Sequence, residues 1–296
     1  MQRTSSRTTR HDAPGSGSGE ELQRSRREES LPKQLWRNVR EDDVLNQAAG
    51  LAYFAFLSLP PAFLVLFALT GFFGGAETAE WITLQLTALL PDETATLVDG
   101  FVQNVVYEQA PGPFSIGLLL AIWAASNVFM AISRALNTAY QIEDPRPWVK
   151  QRAIAAGVMF LFIVLFLSGS AVLIAGPQIA DALDLYGVAG AAWTVAQWIL
   201  PVALIVAAIW MAYYFLPARD QKRSNREILI GAAAAAAVWL AASIAFRFYI
   251  ANFGNYNETY GFVGAVIVLL LWLYITGFVI LMGGELAAEL EARARN

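Results

Sequence analysis

Cysteine is absent from this chain of 296 residues, and histidine occurs once, as His11. Without thiols there are no disulfides and no thiolate metal sites. With its one imidazole in a polar tail, the chain cannot assemble a His-rich metal cluster or a Ser-His-Asp triad in a folded core. It has no Gly-x-Ser-x-Gly elbow, and the GSGSGEE stretch lacks the Lys-Ser/Thr that would follow in a phosphate loop. Charge is scarce too: Asp, Glu, Lys and Arg make up 15% of residues, against roughly 25% in soluble domains. These absences exclude the familiar soluble enzyme classes, and no cofactor or metal is expected.

What the chain has instead is apolar length. Hydrophobic residues make up 57% of it, and mean hydropathy is +0.47. The stretch from Gly261 to Met282 carries no charge. At about 1.5 Å per residue it reaches roughly 33 Å, enough to cross a bilayer core of about 30 Å. No water there can satisfy backbone amides, so a spanning segment must be helical. Earlier apolar runs extend over Ala48–Phe73, Phe114–Tyr140, Ala153–Ala175 (stopped by Gly176-Pro177), Ala191–Leu216 and Ile228–Ile250. The fold class expected is an all-α integral membrane protein with six transmembrane helices. The alanine run Ala232 to Ala237 would let the fifth span approach its neighbours closely, inside the bundle.

The segments between these runs differ in character. Residues 1–30 are rich in Arg, Ser, Thr and Gly, with no apolar periodicity, and are read as a disordered tail. The first apolar run starts only near Ala48, which does not fit a signal peptide. Over residues 31–47, Leu31, Leu35, Trp36, Val39 and Leu45 fall at helical spacing beside Lys33, Arg37 and Arg40. This predicts an N-terminal helix, either on the membrane surface or packed on neighbouring loops. Residues 76–113 hold Glu77, Glu80, Asp92, Glu93, Asp99 and Glu108 but no Lys or Arg, and read as two short amphipathic helices on the outer face. The division expected is thus a tail (1–30), a transmembrane domain (31–291) with the 76–113 insert, and a C-terminal end (292–296).

All but two of the 20 basic residues fall in the tail, the N-terminal helix, the connections at 146–152 and 219–226, and the C-terminal end. The positive-inside rule places these segments, and both termini, in the cytoplasm. The two exceptions, Arg134 and Arg247, lie inside spans. A charge at the centre of a membrane helix costs about 2.5 to 3.5 kcal/mol, so such residues are candidates for function. Arg134 falls near the cytoplasmic rim, where it either snorkels, pairs with Glu285 at the end of span six, or serves the substrate path. Arg247 falls near the otherwise acidic outer face. It is either a partner of Glu258 or an anchor for an anionic group, beside the tyrosines of the polar turn from Asn252 to Tyr260. Pro60 and Pro61 should break or kink span one below Tyr53, making either a hinge and cavity wall or a packed bend. Asn127 completes the set of polar residues expected along a path.

Several stretches carry a family likeness: AAGLAYFAFLSLPP (48–61), IGLLLAIWAASNVFMAISRALNTAY (116–140), YYFLP (213–217) and the run from Tyr249 to Glu291. Together the chain resembles the YihY/BrkB family of bacterial inner-membrane proteins. It departs in one place: the Gly-Ala-Glu-Leu-Asn common near the family's end is here Gly284-Glu285-Leu286 after Gly283, with Ala287 in place of asparagine. The resemblance implies six transmembrane helices and an inner-membrane address. Members have carried the label ribonuclease BN, and some are linked to serum resistance or envelope-lipid transport. Hydrolysis of phosphodiesters generally needs metal-binding or acid–base groups in a watery site, which this sequence does not offer. The function expected is therefore that of a transporter or translocator of an amphipathic anion such as an envelope lipid. The alternative is a non-transporting scaffold or assembly partner. Expected partners are membrane lipids, with a homo-oligomer left open and no nucleic acid.

Overall fold

The computed structural model describes residues 30–59, 111–218, 224–252 and 256–294. Among these the chain forms seven α-helices: α1 (Leu31–Glu41), α2 (Val44–Leu59), α3 (Pro111–Ala139), α4 (Trp148–Ala182), α5 (Gly187–Phe215), α6 (Asn225–Asn252) and α7 (Tyr256–Ala294). Four of them, α4 to α7, contain segments long and apolar enough to cross a membrane. The expected tail (1–29), the Pro60-Pro61 break, the rest of span one and most of the acidic insert (60–110) lie outside the described residues. The last three residues assigned to that insert, Pro111 to Pro113, belong to α3.

Successive helices α3 to α7 pack against one another, with the most extensive contact between α6 and α7. The alanine run explains that contact. Ala232, Ala235 and Ala236 are buried, and a Cβ placed on Gly231 would come within 2.7 Å of Ala287 Cβ and of the Gly283 carbonyl oxygen. Small residues facing one another let two backbones lie side by side, as the sequence had suggested for span five. Across this junction the buried Tyr213 of α5 donates its hydroxyl to the Ile280 carbonyl of α7.

Two helix ends differ from expectation. α4 does not stop at Gly176-Pro177 but continues to Ala182. Proline removes one donor and crowds the preceding turn. Gly176 leaves room there for the Gln197 side chain, and the Trp193 indole donates to Gly176 O at 2.8 Å, so α5 braces this turn. At the other end of the chain, α7 already begins at Tyr256 and runs through Gly283-Gly284-Glu285 to Ala294. The polar turn is shorter than its composition suggested, and the glycines are helical contact points.

Burial is concentrated at one end. Val39, Val44, Leu136, Tyr213, Leu216, Ile228 and Ala287 form a tightly enclosed core where α1, α3, α5, α6 and α7 meet. Elsewhere Phe160, Phe166, Ile174, Trp198 and Phe248 stand exposed. In water so much apolar surface would drive association; on membrane-length helices it is the face turned to lipid.

Candidate functional site

The enclosed end is also the basic end, and three polar groupings are built there. The first is a latch between two connections. Asn137 on α3 donates to Asp144 Oδ2 at 3.3 Å, and its own Oδ1 accepts from the Ala218 amide at 2.8 Å. Asp144 pairs with Arg146 at 2.6 Å, and Arg146 donates to Leu216 O at 2.8 Å, where Ser133 also donates at 2.9 Å. The Arg146 guanidinium holds the Asp144 carboxyl below its ordinary range. Every strong donor or acceptor here already has a partner, so the latch is structural. It explains why the YYFLP stretch ends in a buried Leu216-Pro217.

The second grouping surrounds Glu285, which is 2% exposed. Asp42 in the α1–α2 turn and Asn38 on α1 act on its carboxyl. Glu285 Oε2 has no partner among the described residues. The sequence had offered Arg134 as its partner. Arg134 instead stands exposed on α3, and no ion pair among the described residues joins the two. Two carboxyl groups that act on each other away from bulk water favour a shared proton. Burial raises the Asp42 carboxyl above its ordinary range, with Glu41 adding to the effect and the bond to Glu285 opposing it.

The third grouping joins α3 to α4. Arg152 Nη1 donates to Ser126 Oγ and Asn127 Oδ1, each at 2.8 Å, and reaches Trp123 O at 3.5 Å. The guanidinium carbon sits 3.9 Å from the centre of the Trp123 ring and 5.6 Å from that of Trp148. Asn127, one of the expected path residues, thus acts as a tether for Arg152. Arg152 itself had counted in the sequence only as one more inward-facing charge. The signal was present in Trp148 and Arg152 at helical i, i+4 spacing, but nothing local ties them to Trp123.

Between α4, α5, α6 and α7 lies an apolar cavity of about 220 Å³, walled by Phe162, Phe166, Leu204, Trp239 and Ile280 among others. Its polar lining comes chiefly from Ser170 and Thr276, and the Thr276 hydroxyl is already engaged by the Trp239 indole at 3.1 Å.

The remaining candidates are scattered. Tyr53 is 57% exposed on α2, its ring edge-on to Phe54. Arg247 is exposed on α6 and makes no ion pair or hydrogen bond among the described residues. Glu258 and Tyr260 lie on α7, but their side chains are outside the described set, as are Pro60 and Pro61 altogether.

Residues 35–296 match the family model described as virulence factor BrkB. The ribonuclease-like protein YfkH of Bacillus subtilis is 29% identical over 271 residues, covering 90% of this chain and 97% of that protein. A UPF0761 membrane protein of Klebsiella pneumoniae is 30% identical over 273 residues, 87% of this chain and 88% of its own. Another, from Tolumonas auensis, is 27% identical over 258 residues, 86% and 83% respectively. No solved structure matches the chain.

Proposed function

Since the chain belongs to the virulence factor BrkB family, we propose that it is a bacterial inner-membrane protein that moves an amphipathic anion such as an envelope lipid. In this reading six helices cross the membrane, both termini are cytoplasmic and the basic end faces the cytoplasm. The protein is read as a non-enzyme. The ribonuclease-like name belongs to the Bacillus relative, and this chain's lack of cysteine and its one tail histidine offer little for hydrolytic chemistry.

The observation that carries the reading is the apolar cavity. An apolar cavity of about 150 Å³ is already large enough to take up benzene, so about 220 Å³ suits part of an acyl chain. Arg247, free of protein partners among the described residues, suits the headgroup at the opposite end of the path from the basic connections. The test is lipid movement in proteoliposomes carrying fluorescent phosphatidylglycerol. A Cβ on Gly169 would meet Leu204 Cδ1 at an ordinary 3.6 Å. Gly169→Leu should therefore insert while its longer side chain fills the cavity, and it should lose most of the wild-type rate. Arg247→Ala should slow the same step. A wild-type rate no greater than that of empty liposomes would sink the transport reading.

The closely packed basic end favours a second reading. Its polar groups tie helices together, as the bonds of Arg146 and Asn137 to the Leu216–Ala218 backbone show. A scaffold would have this construction. It would show no lipid movement, and filling the cavity would change nothing but stability.

A further inference from the structure

We propose that Arg152 and Arg134, with the indoles of Trp123 and Trp148, form a binding site for the phosphate of an anionic lipid headgroup. The site lies at the basic end of α3 and α4. It requires that these helices sit in a membrane, but not that the protein transports anything.

The argument starts from the bonds of Arg152. Its three acceptors, Ser126 Oγ, Asn127 Oδ1 and Trp123 O, are all neutral, and all are served by Nη1. They orient the guanidinium without neutralising it. Nε is enclosed and has no acceptor among the described residues. Nη2, engaged by no group among the described residues, is the donor left to meet an oxyanion.

The neighbouring charge has the wrong sign for a structural pair. Arg134 stands on α3, the helix that carries the acceptors of Arg152. It follows Asn127 by seven residues, two helical turns along the same face of α3, and its side chain is exposed. Asp144, an acid in the intervening connection, is committed to Arg146. Two guanidinium groups at this end of α3 and α4, neither ion-paired among the described residues, are best satisfied by an anion from outside the chain.

The surroundings select a lipid over a soluble anion. Trp123 and Trp148 are about half exposed, with ring centres 5.6 Å apart, as interfacial aromatic residues commonly are. Leu119, Ile122 and Val149 are exposed around them. A phosphate on the guanidinium groups would have its acyl chains against these apolar side chains, which a free phosphate would leave bare.

The full chain, purified and stripped of lipid, tests this by native mass spectrometry and thermal unfolding with dioleoylphosphatidylglycerol, dioleoylphosphatidylcholine or inorganic phosphate. The wild type should retain phosphatidylglycerol in preference to phosphatidylcholine and gain thermal stability from it. Inorganic phosphate at millimolar concentration should not displace it. Arg134→Gln removes an exposed side chain, so the lipid-free protein should melt as the wild type does. Its affinity for phosphatidylglycerol should nevertheless fall roughly tenfold, the factor that about 1.4 kcal/mol represents. Arg152→Lys should retain charge and fold but lose the contact made by Nη2, with a similar or larger drop. Unchanged retention in Arg134→Gln, equal binding of the two lipids, or displacement by inorganic phosphate would each overturn the site. Loss of lipid movement in liposomes with this binding intact would count only against the proposed function.

Discussion

Gly283 shows how much a hydrogen atom in place of a methyl can decide. A Cβ there would come within 2.5 Å of Ala235 Cβ and of Tyr213 Oη, and one on the adjacent Gly284 would strike Leu136 Cδ2. The obstacles are a neighbouring helix and an enclosed phenol, not the ends of long flexible chains. Gly283→Ala should therefore push α6 and α7 apart and destabilise by about 1 to 3 kcal/mol, the usual range for overpacking. Tyr213→Phe keeps the ring and loses only the hydroxyl bond to Ile280 O, a cost of about 1 kcal/mol. Gly157 is the control. Nothing lies within 4 Å of its Cβ position on α4, so Gly157→Ala should be neutral or stabilising by up to about 1 kcal/mol. Thermal unfolding of the three variants in one detergent should rank them in that order. A harmless Gly283→Ala would mean that α6 and α7 do not approach as closely as their small residues imply.

At the scale of elements, the basic end is held by two carboxyl groups with opposite pH behaviour. Asp144 sits below its ordinary range because Arg146 binds its charged form. Its contribution is present above the unfolded value of about 3.9 and disappears as pH falls through the lower folded value. Asp42 sits above its ordinary range, chiefly through burial, in a setting shared with Glu41 and Glu285, with Glu289 also near Glu285. Its contribution is complete below about pH 3.9 and fades as pH rises through the raised folded value. The docking of α1 onto α7, which the Arg293 bond to Gln34 also supports, should therefore loosen as pH rises. Hydrogen exchange of residues 31–41 should rise with pH beyond its chemical trend, and Asp42→Asn should flatten that rise. An identical pH profile in the variant would rule out this carboxyl as the cause.

These pairings also mark what the sequence concealed. Hydropathy located the bodies of α4 to α7, since each must supply an unbroken apolar length. It misplaced the end of α4 and the start of α7, because Gly176-Pro177 reads as a stop when taken alone and the polar composition of Asn252–Tyr260 reads as a turn although helix resumes at Tyr256. Asp42 with Glu285, and Arg152 with Trp123, are meetings of distant segments to which periodicity and charge counting are blind.

For the molecule as a whole, orientation is the property from which both binding readings take their meaning. Arg146 lies in the connection after α3, Lys150 and Arg152 in the first turns of α4 and Arg226 at the start of α6, and α7 ends near Arg293 at the same end. The α4–α5 turn, with Asp181 and Asp184, lies at the other end and has no basic residue. In the proposed orientation, anionic lipid and the membrane potential both draw the basic end to the cytoplasmic side. The absence of native cysteine makes the measurement clean, because each introduced thiol is the sole target for labelling. Single cysteines at positions 222 and 293 should be masked from an impermeant maleimide in intact cells and react after lysis, while those at 93 and 184 should react from outside. Position 93 matters most, since it tests whether the acidic insert belongs on the outer face with the α4–α5 turn. Labelling of 222 or 293 from outside would invert the protein. It would place the Arg152 site in the outer leaflet, where phosphatidylglycerol binding would describe a different lipid pool and transport would run on a different face.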